Sequence, residues 1–453
     1  AVSAIGSFLA DPRNDQAFVL RGYAGTGKTS LVSAVVRVWR KLQRPVVLLA
    51  PTGRAAKVFS LHAGLPAHTI HRVIYRQKSF EGEDTQFDRG WNNAKSALFI
   101  VDEASMISGD TGEMTPFGSG NLLDDLLSYV WSADEAKLIF VGDTAQLPPV
   151  GTPLSDALNA EVLTSRYGLH VYGMELREVV RQKRGGILHN ATQLRELLDE
   201  YADEDPEEIL PIHLETEGWR GIFPVEGGTF IETLDEAYRK YGEEECLVIC
   251  PSNKLALECN HAIRSSVLFY EEEPVVRGER LIVARNNYHY TKRPDRSDFI
   301  ANGEIIEVQR IGRHYYEYGL HFADATIYLP DRDDSLEVRL LLTSLEDPTP
   351  QRSQAERQRL FELIAADYAD IPSVTDRRKA IRRDPFWGAL EVKYGYAVTA
   401  HKAQGGQWAC VFVDLSFVGY LPEDRNLVRW IYTAITRATK RVYLLGYPAG
   451  LVD

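Results

Sequence analysis

Cysteine is scarce here: four residues in a chain of 453, too few for a disulfide framework, so we expect a reducing compartment. Cys246, Cys250 and Cys259 lack the paired spacing of a zinc site and fall in a strand and a helix, which makes them core residues. No run approaches the ~18 apolar residues that span a bilayer. No basic segment followed by an apolar stretch opens the chain as a secretory signal would. We therefore expect a cytoplasmic protein with no membrane partner. Positive charge is the scarcer sign, with 51 Lys and Arg against 64 Asp and Glu and a net charge of −13. That balance argues against a protein that coats nucleic acid. It leaves room for a narrow basic groove on an acidic body, because steering follows the local field and not the sum. With 44% apolar and 25% charged residues, the composition excludes disordered and collagen-like classes. The first residue is Ala1, not Met, and we expect the start to be trimmed.

The length suggests roughly three domains, or two with insertions. Ala17–Leu20, Val46–Ala50, Ala97–Val101 and Lys137–Val141 are short apolar runs, with a helical pattern over 29–42 between the first two. Continuous Val/Ile/Leu runs alternating with helices predict a parallel sheet covered on both faces. The pattern restarts with Leu247–Cys250, Cys410–Leu415 and Val442–Leu445, and with helices over 255–264 and 426–436. Between the two halves of the second lobe, strands at 280–283, 304–310, 325–329 and 336–342 predict a small β-domain, followed by a helix over 351–370. Residues 73–93 interrupt the first lobe with a hairpin pattern.

Gly22-Tyr23-Ala24-Gly25-Thr26-Gly27-Lys28-Thr29 has the spacing G-x-x-x-x-G-K-T between a strand and a helix. Gly22, Gly25 and Gly27 permit close approach and positive φ, so the amides from Thr26 to Ser30 can surround a phosphate at a helix N-terminus. Lys28 would reach the β- and γ-phosphates, and the Thr29 hydroxyl would bind Mg²⁺. Asp102 and Glu103 end an apolar strand. Asp102 suits a hard cation that keeps most of its waters, and Glu103 could deprotonate an attacking water.

Four further segments complete a pattern. Asp102-Glu103-Ala104-Ser105 with Gly142-Asp143-Thr144-Ala145-Gln146-Leu147-Pro148-Pro149 resembles motifs II and III of superfamily 1 helicases. Thr399-Ala400-His401-Lys402-Ala403-Gln404-Gly405 resembles motif V, and Tyr432-Thr433-Ala434-Ile435-Thr436-Arg437-Ala438 resembles motif VI. The wording is similar to the RecD/Dda branch, which moves 5′→3′ on single-stranded DNA. The resemblance implies an α/β fold of two RecA-like P-loop NTPase domains that bind ATP between them. Residues 1–182 would be the first, with an inserted pin hairpin at 73–93. Residues 183–285 and 391–453 would be the second, with an SH3-like insertion and helical extension at 286–390. Arg181 and Arg437 would be the arginine fingers, Gln146 would sense the γ-phosphate, and Gln404 and Gly405 would border the nucleotide.

A single strand needs backbone grips and aromatic faces. Pro51, Thr52 and Arg54 follow one strand end and resemble motif Ia; Thr69 and His71 resemble the next DNA-contacting segment. Asn253 follows the matching strand end in the second lobe, joined there by Thr399, His401 and Lys402. Phe80 and Phe87 are either duplex-splitting wedges or hairpin packing. Tyr288, Tyr290, Tyr315, Tyr316 and Tyr318 are either β-domain core or a DNA-binding stripe. Two departures stand out. The Gln-containing segment that reads adenine in relatives is missing, and motif V continues Gly406-Gln407-Trp408 where relatives often have Ser or Met and then an acid or Thr.

The resulting expectation is an ATP- and Mg²⁺-dependent 5′→3′ DNA helicase that acts as a monomer on single strands and forked duplexes. It would associate with the nucleoid if bacterial, and with single-strand-binding or repair proteins. The alternative is a DNA-stimulated ATPase or translocase subunit of a repair or recombination complex, with little unwinding alone.

Overall fold

The computed structural model describes residues 2–77, 87–107, 118–149, 151–152, 154–177, 185–202, 205, 208–270, 273–290, 299–420 and 422–453. Eight strands form in the first part of the chain: β1 (Gln16–Gly22), β2 (Val46–Ala50), β3 (Ala67–Thr69), β4 (Tyr75–Gln77), β5 (Phe87–Arg89), β6 (Leu98–Val101), β7 (Lys137–Gly142) and β8 (His170–Leu176). Six of them make one parallel sheet in the order β3-β2-β6-β7-β1-β8. Every residue of β6 and β7 is buried, as expected of strands covered by helices on both faces. Strands β4 and β5 pair as an antiparallel hairpin outside that sheet.

The second sheet uses β9 (Ile222–Val225), β10 (Cys246–Cys250) and three strands from the chain's end. It is interrupted by β11 (Arg280–Val283), β12 (Ile305–Glu317), β13 (Leu320–Leu329), β14 (Asp334–Leu341) and β15 (Leu390–Tyr394), which close into a barrel. After the barrel, β16 (Ala397–Thr399), β17 (Trp408–Asp414) and β18 (Ala438–Leu445) complete a parallel sheet in the order β16-β10-β17-β18-β9.

The expected insertion at 286–390 starts too late. Arg280–Val283, left of that boundary, pairs with both β12 and β15 and is buried throughout, so the barrel cannot close without it. A buried ion pair anchors this junction. The Glu279 carboxylate, fully buried, accepts from Arg264 Nε and Nη2 at 3.0 Å each, and from the Tyr396 hydroxyl at 3.0 Å. Arg264 lies on the helix Asn253–Ser266 of the second lobe and Tyr396 on the strand side, so the three residues pin the barrel's entry to the lobe.

The cysteines pack as expected. Cys246 and Cys250 are buried free thiols, Cys259 is half-buried against the same cluster, and Cys410 is buried as well. The tyrosine stripe is mostly packing. Tyr288 lies between Phe87 and Phe299, Tyr290 accepts the Arg339 amide, and Tyr315 lies under the Arg339 guanidinium at 4.1 Å.

Candidate functional site

The loop after β1 turns through Gly25 (φ +78°) and Gly27 (φ +86°), the left-handed region that favours glycine. Gly27 caps the helix Lys28–Lys41, whose first amides therefore point out of the loop. Thr26 is buried and donates its hydroxyl to the Tyr23 carbonyl at 2.7 Å, which fixes the turn. Lys28 folds back over the loop mouth and donates to the carbonyls of Gly22 (2.5 Å) and Tyr23 (3.0 Å), 3.9 Å from Asp143. Thr29 follows half-buried, and Ser30 is exposed.

β6 delivers Asp102 and Glu103 beside this loop. Burial, and then the Glu103 carboxylate, push the Asp102 carboxyl up to about 7, while Lys28 pulls it down. Glu103 has φ +52°, a conformation costing on the order of 1–3 kcal/mol in a non-glycine residue. The short turn Ala104–Met106 holds it there; Ser155 Oγ donates to the carbonyls of Ala104 and Ile107 at 2.7 Å each. A half-buried carboxylate that interacts electrostatically with the phosphate-loop Lys28 fits a Mg²⁺ that brings its own waters. Among the described residues there is no cluster of three or more His, Cys, Asp or Glu that could hold a metal ion.

The second lobe closes over the first through polar contacts made by motifs V and VI. The Ala24 amide of the phosphate loop donates to the Tyr432 hydroxyl at 2.9 Å, and that hydroxyl donates to Asp143 Oδ2 at 2.7 Å. The Leu147 amide donates to Thr433 Oγ1 at 2.9 Å, and Gln404 Nε2 donates to the Leu147 carbonyl at 2.7 Å. Tyr23, Ala145 and Leu147 share an apolar cluster with Ile431 and Tyr432. Gln146 is buried beside these contacts with Oε1 unpartnered.

Several expected residues sit differently. Arg437 is 4% exposed and spends its donors inside its own lobe, on the Thr433 carbonyl, the Gly406 carbonyl and Thr436 Oγ1. Gly405 (φ +72°) packs against the start of the helix Gly53–Ala63; a Cβ there would lie 2.8 Å from Ala55 Cβ and 3.3 Å from Thr52 Oγ1. Gln404 Nε2 donates to the Leu147 carbonyl of the first lobe, which ties the residue to the segment after Gln146. Phe87 is 4% exposed and packs on Tyr288 with ring centroids 4.5 Å apart, so it belongs to the core and cannot stand as a wedge. Phe80 and Arg181 lie outside the described residues.

A second feature lies across the carboxyl ends of both sheets. In each sheet the edge strand and its neighbour end on a hydroxyl residue at a helix start. Thr52 Oγ1 accepts the Ala55 amide and Thr69 Oγ1 the Arg72 amide, while Ser252 Oγ accepts the Leu255 amide. Thr399 precedes the short helix Ala400–Ala403. The registers match, with Ala50 opposite Thr69 and Cys250 opposite Thr399. Between these ends lies a cavity of about 320 Å³, roofed by barrel residues such as Phe299 and Asn302. Pro51, Thr52, Arg54, Thr69, His71, His401 and Lys402 line it, whereas Asn253 and Thr399 do not. Burial lowers the His71 imidazole to about 4 and the Lys402 ammonium to about 8. Sequence reasoning missed Tyr432 and Trp408. Both look like core aromatics, and their place in the quoted segments, Tyr432 opening motif VI and Trp408 in the continuation of motif V, is the signal that could have marked them.

A phosphate nest, a strand-end carboxylate pair and a second α/β lobe bonded into the nest define a two-lobed P-loop NTPase. Comparison with known proteins narrows this. Residues 3–210 match a family described as an AAA domain, and residues 394–445 match the UvrD-like helicase C-terminal domain. The chain is 33% identical to the ATP-dependent RecD2 DNA helicase of Deinococcus radiodurans, over 94% of this chain and 46% of that one. It is 24% identical to the ATP-dependent DNA helicase dda of Enterobacteria phage T4, over 94% and 93%. It is also 24% identical to an uncharacterized protein of Methanocaldococcus jannaschii, over 94% and 36%. The chain thus spans less than half the length of the RecD2 and Methanocaldococcus proteins. It is similar in sequence to the RecD2 and Dda helicases, in line with the resemblance of its motifs to those of superfamily 1 helicases.

Proposed function

We propose that the chain is an ATP-dependent DNA helicase that moves 5′→3′ along single-stranded DNA and opens forked duplex. The observation that carries this reading is one set of interlobe bonds joined to two places at once. Tyr432 and Gln404 tie the second lobe to the phosphate loop and to Leu147, and Gln404 follows the short helix whose His401 and Lys402 line the groove between the two sheet ends. A change in lobe spacing at the nucleotide therefore changes the spacing of the two strand-end grips. Lys28 and the loop amides would hold the phosphates, and Glu103 would accept a proton from the attacking water. Thr29 and Asp102 would hold Mg²⁺, which polarises the phosphoryl oxygens when bound. Arg437 would have to leave the Gly406 carbonyl to reach the γ-phosphate, and Arg181 is the partner finger by motif. The hydroxyl-capped helix starts and Lys402 would grip phosphates without reading bases.

The test is ATP turnover with and without single-stranded DNA, beside unwinding of 5′-tailed and 3′-tailed forks. We expect stimulation and opening of the 5′-tailed fork alone. Opening of only the 3′-tailed fork would overturn the polarity. Stimulation without opening would point to a translocase subunit, and no stimulation would remove the nucleic-acid reading.

A further inference from the structure

The segment Gly406-Gln407-Trp408, where motif V departs from its relatives, holds an arginine of the other lobe. The Arg54 guanidinium lies on the Trp408 ring with its carbon 3.9 Å from the centroid, and its Nη2 donates to the Gln407 carbonyl at 3.3 Å. No ion pair to Arg54 is found among the described residues, and the side chain borders the groove. Trp408 is 3% exposed and its Nε1 has no hydrogen-bond partner, so packing alone sets the ring's orientation. Gly406 makes room for that packing. A Cβ there would meet Trp408 ring atoms at 2.4 and 2.6 Å and Arg54 Nε at 2.9 Å. On its other side the segment is held by the cleft arginine: Arg437 Nη1 donates to the Gly406 carbonyl at 3.4 Å, and the Trp408 amide donates to the Arg437 carbonyl at 3.0 Å.

We propose that Trp408 is a positioning residue that presents Arg54 edge-on to a DNA phosphate, so that this grip of the first lobe exists only while the second lobe is docked. The inference rests on the single-strand reading above. An indole face attracts a guanidinium and leaves its edge N–H groups free for an anion. With the lobes apart, Arg54 loses its platform and becomes an ordinary mobile side chain. Arg437 touches the same segment, so its position and Arg54's platform are linked through Gly406 and Trp408.

The salt dependence of binding separates this from a structural role. Each phosphate neutralised on a single strand contributes a slope of about −0.7 in log K against log salt. The probe is a fluorescently labelled oligo-dT, with anisotropy titrations across a salt series, on wild type, Arg54→Gln, Trp408→Leu and the double variant. We expect Arg54→Gln to flatten the slope by about 0.7. Trp408→Leu should flatten it equally although it removes no charge, and the double variant should flatten it no further. Gly406→Ala, which displaces the ring and keeps it, should behave as Trp408→Leu and guards against misfolding of the latter. A Trp408→Leu or Gly406→Ala slope equal to wild type overturns the proposal, as does additivity of the two losses. Absence of salt-dependent oligo-dT binding in the wild type would instead overturn the single-strand reading itself.

Discussion

Replacing Tyr432 by Phe keeps the ring in its buried place and removes one oxygen. That oxygen joins the lobes twice, accepting the Ala24 amide at 2.9 Å and donating to Asp143 at 2.7 Å. A hydrogen bond between neutral groups contributes about 0.5–1.5 kcal/mol, and one to a charged group about 1.5–3. The pair therefore favours the docked lobes by about 2–4.5 kcal/mol, which is roughly 30-fold to 2,000-fold in the closed-to-open ratio. If the same bonds persist when nucleotide is bound, kcat/KM for ATP falls by at least the lower of these factors. Dyes placed on the two lobes should report a larger separation by energy transfer, and thermal unfolding should keep the first lobe's transition. The rival outcome is specific. Should Tyr432 compete with phosphate for the Ala24 amide, Tyr432→Phe raises nucleotide affinity. Unchanged or increased kcat/KM with unchanged dye separation would refute the docking role.

Three further outcomes are expected. Lys28→Ala should abolish turnover, while Glu103→Gln should bind ATP and hydrolyse it some 10²–10⁴-fold more slowly, measured as product release per bound nucleotide. Near-normal turnover in Glu103→Gln removes the general-base assignment. Burial and Lys393 hold the Lys402 ammonium at about 8, so it is charged below that pH and neutral above it. Phosphate binding favours the charged form, and single-strand affinity should drop about tenfold between pH 7 and 9. Lys402→Ala should bind more weakly at pH 7 and lose that step. Glu279→Ala leaves the Arg264 guanidinium buried without its carboxylate and should cost about 3–5 kcal/mol in urea unfolding, with Met at both positions recovering most of it. Equal loss in the double variant would mean that packing and not charge pairing holds the junction.

The sequence alone determined what depends on short spacings. A glycine pattern between a strand and a helix specifies the phosphate nest, because φ at Gly25 and Gly27 must be positive. Apolar runs alternating with helices specify two parallel sheets, because only buried strands are apolar on both faces. Tertiary structure decided what depends on who meets whom across the chain. Phe87 reads as an aromatic on a hairpin and turns out to be core, since Tyr288 from 201 residues away covers it. Arg280–Val283 reads as a strand of the small β-domain while a boundary at 286 leaves it with the lobe, and closure of the barrel decides for the domain. Tyr432 and Trp408 are unremarkable aromatics until the lobes dock. Their roles arise from contacts with Ala24 and Arg54, more than 350 residues earlier, a separation over which no local pattern carries information.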